Sequence, residues 1–211
     1  MRSIELLCPA KNAETAFEAI RSGADAIYIG GPSFGARAAA GNSVEDIRSI
    51  CDFAHLYGAR VYVTLNTILY DDELSEAEKM VGQLYEAGVD ALITQDLALL
   101  KMNLPPIALH ASTQMDTCTP EKAQFLERAG YSQIVVAREL SLRQLRAISS
   151  AVSVPIEGFV HGALCVSYSG RCYVSQHCFG RSATRGCCAQ FCRWNFALVD
   201  ANGKVLSTGH Q

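Results

Sequence analysis

At 211 residues, with 49% hydrophobic and 18% charged side chains and a formal net charge of −3, the chain has the composition of an ordinary globular domain and not of a disordered one. No apolar run reaches the ~18 residues needed to span a bilayer. Met1–Leu6 lacks the apolar stretch and small-residue cleavage site of a secretory leader, so a cytoplasmic protein is expected.

Short β-rich runs then alternate with amphipathic helical patterns. Ile4–Ala10 precedes a helix over Ala13–Ser22, and Ala26–Gly30 precedes a loop and a helix over Val44–Tyr57. Arg60–Asn66 leads to a helix over Asp72–Ala87, and Ala91–Gln95 to a short helical stretch. Ile107–Thr113 precedes Pro120–Ala129, Gln133–Arg138 precedes Leu142–Val152, and a seventh run, Pro155–His161, enters a cysteine-rich segment. Ser43 and Asp72 read as helix N-caps, and Gly58, Gly88 and Gly130 stand where helices should stop.

This rhythm predicts a mainly parallel sheet with crossover helices. Even spacing, and no Gly-x-Gly-x-x-Gly after the first strand, favour a TIM-type (β/α) barrel over an open doubly wound sheet. No eighth strand is evident. Phe196–Leu206 reads as a β-hairpin with an Asn202-Gly203 turn. The expectation is a single α/β domain over 1–211, a barrel incomplete in this chain, with residues 162–195 as a cysteine-rich insert.

Chemistry in such a barrel belongs at the C-terminal ends of the strands. Those ends carry Asn66, Gln95-Asp96, His110 with Ser112-Thr113-Gln114, Arg138-Glu139, and Glu157 with His161. Polar strand ends are often turns or caps, but five in succession point to a shared pocket. Glu157 and His161 lie four apart on one expected strand and so point to the same face. They suit an acid–base pair, or equally a core histidine held by a buried carboxylate. Arg138 suits a bidentate clamp for a carboxylate or phosphate, or else pairs with Glu139 or Asp96.

Six of the nine cysteines fall between Cys165 and Cys192. In a reducing compartment such clustering reads as metal or cluster ligation, not as disulfides. Cys165 and Cys172 are separated by six residues, Cys172 and Cys188 by fifteen, and Cys188 and Cys192 by three. Four thiolates so spaced suit tetrahedral zinc or an iron–sulfur cluster, and the spacing does not choose between them. Cys187 is an alternative to Cys188, Cys178 is left over, and Cys8, Cys51 and Cys118 read as core or loop residues. No Asp or Glu occurs between Glu157 and Asp200, whereas Arg171, Arg181, Arg185 and Arg193 do. This cationic stretch suits an anionic substrate or RNA phosphates, and equally offsets thiolate charge. Gly31-Pro32-Ser33-Phe34-Gly35 matches the Gly-x-Ser-x-Gly nucleophile pattern, but no helix follows directly as that motif requires, so a glycine-rich substrate loop is the better reading.

Glu157–Cys165, Tyr168-Ser169-Gly170-Arg171-Cys172 and Arg185–Arg193 closely resemble the motif of the collagenase-like peptidase family U-32. Tyr28–Arg37, Val63–Leu69 and Leu109–Gln114 are similar to its branch of ribosomal-RNA 5-hydroxycytidine synthases. Sister branches hydroxylate tRNA or act in quinone synthesis. The resemblance implies a TIM-type barrel, an iron–sulfur cluster (4Fe-4S) on Cys165, Cys172, Cys188 and Cys192, and a ribosomal RNA or tRNA substrate. It also implies prephenate as hydroxyl donor. Family members are longer, so this chain is expected to be the N-terminal part of a larger protein. A peptidase and a zinc-stapled RNA-binding module are the competing readings.

Overall fold

The computed structural model describes residues 4–35 and 41–209; Ala36 and Arg37 of the N-terminal motif lie outside that range. Seven strands alternate with helices: β1 (Leu7–Ala10), α1 (Ala13–Arg21), β2 (Ala26–Gly30), α2 (Val44–Leu56), β3 (Arg60–Leu65), α3 (Leu74–Glu86) and β4 (Ala91–Thr94). A 3-10 turn, Leu97–Lys101, replaces a full helix before β5 (Ala108–Ala111), which is followed by α4 (Pro120–Ala129), β6 (Gln133–Val135), α5 (Leu142–Ala151) and β7 (Ile156–Glu157). The strands pair in chain order, β1 to β7, each parallel to the next. This is the expected barrel wall, with β1 and β7 as its two edges and no eighth strand in this sheet among the described residues.

The strands are apolar on both faces because both faces are covered. Ile27, Ile29, Val61, Val63, Leu65 and Leu92 pack against the helix residues Ala16, Ile47, Ile50, Val81 and Leu84. Alternate positions, Ala26, Tyr62, Ala91 and Ile93, face the interior with Leu7, Tyr28 and Ala108. A second helix-side cluster joins Leu126 and Ile148 to Ile134 and Val136. The sheet curls: Glu5, just ahead of β1, lies close enough to Glu157 on β7 for its charge to act on that carboxyl.

Helix starts follow local hydrogen-bonding chemistry. Ser43 and Asp46 form a reciprocal capping box on α2, Ser141 and Gln144 one on α5, and Asn12 and Thr119 cap α1 and α4. Asp72 does not cap α3 as expected. It sits inside a 3-10 turn, Asp71–Glu73, closed by Tyr70 N donating to Glu73 Oε2.

Beyond β7 the chain has little regular structure: α6 (Val174–Phe179), two 3-10 turns, then an antiparallel hairpin of β8 (Phe196–Val199) and β9 (Val205–Gly209). Its loop is organised less by Asn202-Gly203 than by Asp200, whose Oδ1 accepts from both Asn202 N and Lys204 N. No helix of the described residues is long and apolar enough to cross a membrane.

Candidate functional site

The seventh run is shorter than its sequence pattern. Strand pairing stops at Glu157; Gly158 through Leu164 are exposed, and Gly162 turns the chain at φ +114. His161 is therefore exposed and off the strand, and the expected Glu157–His161 pairing on one strand face does not form. The physical reason is that β7 is an edge strand with a partner on one side only, so nothing holds residues 158–161 extended.

His110 also departs from expectation. It is the third residue of β5, inside the barrel and not at its rim. Its ring meets Tyr62 edge-on at 4.7 Å between centroids, and its Nδ1 is buried without a partner. Burial, with the Arg60 charge as a lesser cause, pushes its pKa down to about 4, so the imidazole is neutral at physiological pH. Tyr62 donates its hydroxyl to Glu5 Oε2 at 2.9 Å, and Arg60 Nη1 reaches the same oxygen at 3.4 Å. Glu157 points into this interior group. It accepts from Gln133 Nε2 at 2.9 Å, and burial first, then the Glu5 charge, raises its pKa to about 7.

The rim itself is built from short polar links. Asn66 Nδ2 donates to Ser112 Oγ at 3.2 Å, and Ser112 Oγ accepts from Gln114 N. Gln95 Nε2 points to the Gln114 carbonyl at 3.4 Å, and Thr113 Oγ1 donates to the Val136 carbonyl. Asp96 accepts from Leu69 N and Ala98 N, which makes it a loop cap, not a partner for Arg138. The strand ends do converge, but much of their polarity is consumed in holding the loops.

The cysteine segment is fastened to this rim at two places. In the first, Ser169 donates to Glu139 Oε2 at 2.9 Å through its hydroxyl and to Glu139 Oε1 at 3.1 Å through its backbone N–H. The Ser169 hydroxyl also accepts from Arg138 N. Next to it Gly170 (φ +70) lies so close to Gln114 that a Cβ would stand 2.0 Å from that carbonyl oxygen. Arg171 completes the fastening with an ion pair to the buried Asp116, itself held at φ +55. In the second, Arg185 grips Glu73 with both guanidinium nitrogens, donates to the Ile68 carbonyl and lies over the Tyr70 ring at 4.0 Å. The guanidinium draws the Glu73 carboxyl down to about 2.

These contacts reassign half of the cationic stretch. Arg171 and Arg185 are struts neutralised by barrel carboxylates. Arg181 and Arg193 donate to the carbonyls of Cys187, Cys188 and Leu164, so their charge is set within the cysteine segment itself.

The four cysteines singled out by spacing are free thiols on this segment; Cys165, Cys172 and Cys192 are half-buried and Cys188 is exposed. Their neighbourhoods meet in pairs. Arg193, beside Cys192, reaches the Leu164 carbonyl beside Cys165 at 2.9 Å. Ser175, three residues past Cys172, donates to Cys188 Sγ at 3.8 Å. Phe179 and Phe191 stack at 5.6 Å on the same body. A soft, all-thiol donor set with a hydroxyl donor on one sulfur and an arginine on adjacent carbonyls fits an iron–sulfur cluster. No three of these sulfurs gather within 4.8 Å among the described residues, so the close packing of a tetrahedral zinc–thiolate site is not preformed.

One trio does gather at that range: Asp116, Cys118 and Glu139. From the sequence Cys118 reads as a core or loop residue. Its thiol donates to Asp116 Oδ1 at 2.9 Å, and burial and that carboxylate push its pKa up to about 11. With Asp116 also holding Arg171 and Glu139 holding Ser169, the trio works as a fastening for the cysteine segment. Asp116 and Cys118 share one loop and Glu139 lies in the next, and only the isolated acids after β5 and β6 hinted at it.

Ser33 lies in a loop that continues to Gly35 without entering a helix, and α2 begins only at Val44. A cavity of about 360 Å³ beside it is lined by Glu73, Glu76 and Arg185, and no histidine is among its walls. The nucleophile turn is not formed.

Comparison with known proteins agrees with this architecture. A family model described as peptidase family U32 matches residues 11–210. The chain is 57% identical over 204 residues to the 23S rRNA 5-hydroxycytidine synthase of Escherichia coli (strain K12), covering 97% of the chain and 31% of that relative. It is 37% identical over 203 residues to a tRNA hydroxylation protein of Bacillus subtilis (strain 168), covering 94% of the chain and 48% of that relative. The chain thus spans from 31% to 48% of the length of these relatives. A solved structure described as a U32 peptidase superposes with a TM-score of 0.62 at 19% identity, over 75% of this chain and 70% of that one.

Proposed function

The chain belongs to peptidase family U32, and on that premise we propose that it is the barrel and cluster-binding part of an iron–sulfur-dependent RNA base hydroxylase. The observation that carries this reading is the 57% identity, over nearly the whole chain, to a protein that makes 5-hydroxycytidine in 23S rRNA. The substrate proposed is accordingly a cytidine of large-subunit ribosomal RNA, with prephenate as the small anionic hydroxyl donor. The protein is proposed to work in the cytoplasm.

In this reading Cys165, Cys172, Cys188 and Cys192 hold a 4Fe-4S cluster. When bound, such a cluster supplies one-electron chemistry at a potential set by its surroundings. The chain's own groups supply those surroundings. Ser175 directs a hydroxyl at Cys188 Sγ, and Arg181 and Arg193 place positive charge along the same segment. The Ser169 and Arg185 fastenings hold the segment over the strand ends, where a base and a small donor can meet. Inside the barrel Glu157, its pKa raised to about 7, can take up or release a proton near neutral pH, while His110 stays neutral beside it. A peptidase reading finds no histidine beside Ser33 among the described residues, and Glu73 there is engaged by Arg185.

Two measurements test the proposal. Protein purified without oxygen should be brown, with about four irons per chain. Ribosomal RNA from cells lacking the gene should lose a hydroxylated cytidine seen by mass spectrometry in the parent. A colourless, zinc-only protein sinks the cluster, and unchanged cytidine hydroxylation sinks the substrate.

A further inference from the structure

A cavity of about 350 Å³ lies between the end of β6 and the strap 164–168 that leads into the Ser169 fastening. Its walls are Arg138, Leu164, Cys165, Val166, Ser167 and Tyr168, with Glu139 at one side. Two of the groups that could neutralise the arginine are already committed. Both Glu139 oxygens accept from Ser169, and Asp96 caps its own loop. Arg138 has no ion pair among the described residues, and its Nε is buried without a hydrogen-bond partner.

A buried guanidinium donor with no acceptor is costly, and folded proteins rarely leave one. The other arginines of the neighbouring segment all have acceptors: Asp116 for Arg171, Glu73 for Arg185, carbonyls for Arg181 and Arg193. Among the described residues nothing accepts from Arg138 Nε, which leaves that donor to a water or to a ligand. The site is concave and small-molecule sized, and its remaining walls are mostly apolar. That combination suits a planar oxyanion attached to an apolar body, for which an arginine fork is the matching cation.

We infer that Arg138 and the 164–168 strap form a binding subsite for a small organic carboxylate with an apolar body, seated beside Cys165. The inference rests on the hydroxylase reading only in making this ligand the donor; the subsite itself stands on the unpaired arginine and its cavity. An RNA phosphate is the rival occupant. The cavity's size, its apolar wall of Leu164 and Val166 and its single cation favour the carboxylate. A backbone phosphate would be held by several cations together.

The test is calorimetric titration of the protein with phenylacetate, inorganic phosphate and a short single-stranded RNA. Phenylacetate should bind the parent; the Arg138→Met variant should bind it at least tenfold more weakly and Arg138→Lys severalfold more weakly, since the ammonium keeps charge but loses the fork. Melting temperature supplies the readout that a merely structural arginine would fail. Removing an unpaired donor should leave Arg138→Met as stable as the parent, whereas a structural arginine would cost stability. The inference is overturned if phenylacetate fails to bind the parent, or if Arg138→Met binds it unchanged. It is equally overturned if phosphate and RNA, but not phenylacetate, depend on Arg138. Hydroxylated cytidine measured in the same strains separates the two claims. Hydroxylation without Arg138-dependent phenylacetate binding removes the subsite and leaves the function; the reverse result removes the function and leaves the subsite.

Discussion

In the barrel, β2 buries Ala26, Ile27 and Ile29 completely, and the neighbouring strands and helices do the same with Val61, Leu92, Ile47 and Leu84. Between Gly158 and Leu206 the only buried side chains are Ser169, Ser175 and Thr184. Large apolar residues there, such as Tyr168, Trp194 and Leu198, are more than half exposed. The barrel is held by apolar area, roughly 25 cal/mol per Å² removed from water. The cysteine segment is held by a few directed contacts: hydroxyls on carboxylates and sulfur, and two arginines on acids. A region of the second kind has little stability of its own, which leaves it dependent on its fastenings and on whatever its cysteines bind.

Substitutions in the two regions should therefore fail differently. Leu92→Ala empties a fully buried position in the wall and should lower global stability by about 2–5 kcal/mol, seen as a shifted urea midpoint for the whole chain. Gly170→Ala strikes the fastening. Its added carbon would stand 2.0 Å from a backbone oxygen at a positive φ, so the 169–171 turn must move off Gln114. The local cost is about 1–3 kcal/mol, and its sign should appear as lost iron content and faster proteolysis near Cys165–Cys172 with a nearly unchanged barrel transition. If Gly170→Ala instead unfolds the barrel, the two regions are one cooperative unit and the contrast is wrong.

The same contrast explains what the sequence made legible. Apolar alternation, caps such as Ser43 and glycine exits such as Gly130 follow from local rules, so all seven strands, the seventh shorter than its pattern, and most helices are legible in the sequence. The N-cap expectation at Asp72 failed because a tertiary contact, Arg185 on Glu73, shapes that turn from 112 residues away. His161 failed for a related reason: β-rich residues extend only where a neighbouring strand is present, and β7 has one on one side alone. The Asp116–Cys118–Glu139 fastening was hard to read because Glu139 comes from a different loop than Asp116 and Cys118. Arg138 was readable as an anion clamp, but that its acidic neighbour turns away to Ser169 was not.

The interior polar group gives the smallest of these effects and the sharpest pH test of the wall. Glu157 has a folded-state pKa of about 7 against an ordinary value of 4.5, raised by burial and by Glu5. Between those values the folded protein holds a proton that the unfolded chain has released, so this group's contribution to stability falls as pH rises from about 4.5 to about 7 and is flat outside that window. His110 acts oppositely. Its pKa is lowered from 6.5 to about 4, so its contribution rises with pH across that range and partly masks Glu157 in the parent. Substitution separates them. Glu157→Gln keeps an acceptor for Gln133 Nε2 and removes the ionisation, so it should match the parent below pH 4.5 and exceed it above pH 7. The gain should be on the order of 1–2 kcal/mol, after allowing for the partial exposure of this edge-strand side chain. Urea midpoints at several pH values read it directly. A difference that does not change with pH would mean that Glu157 ionises freely, and that β1 and β7 do not bring Glu5 and Glu157 together.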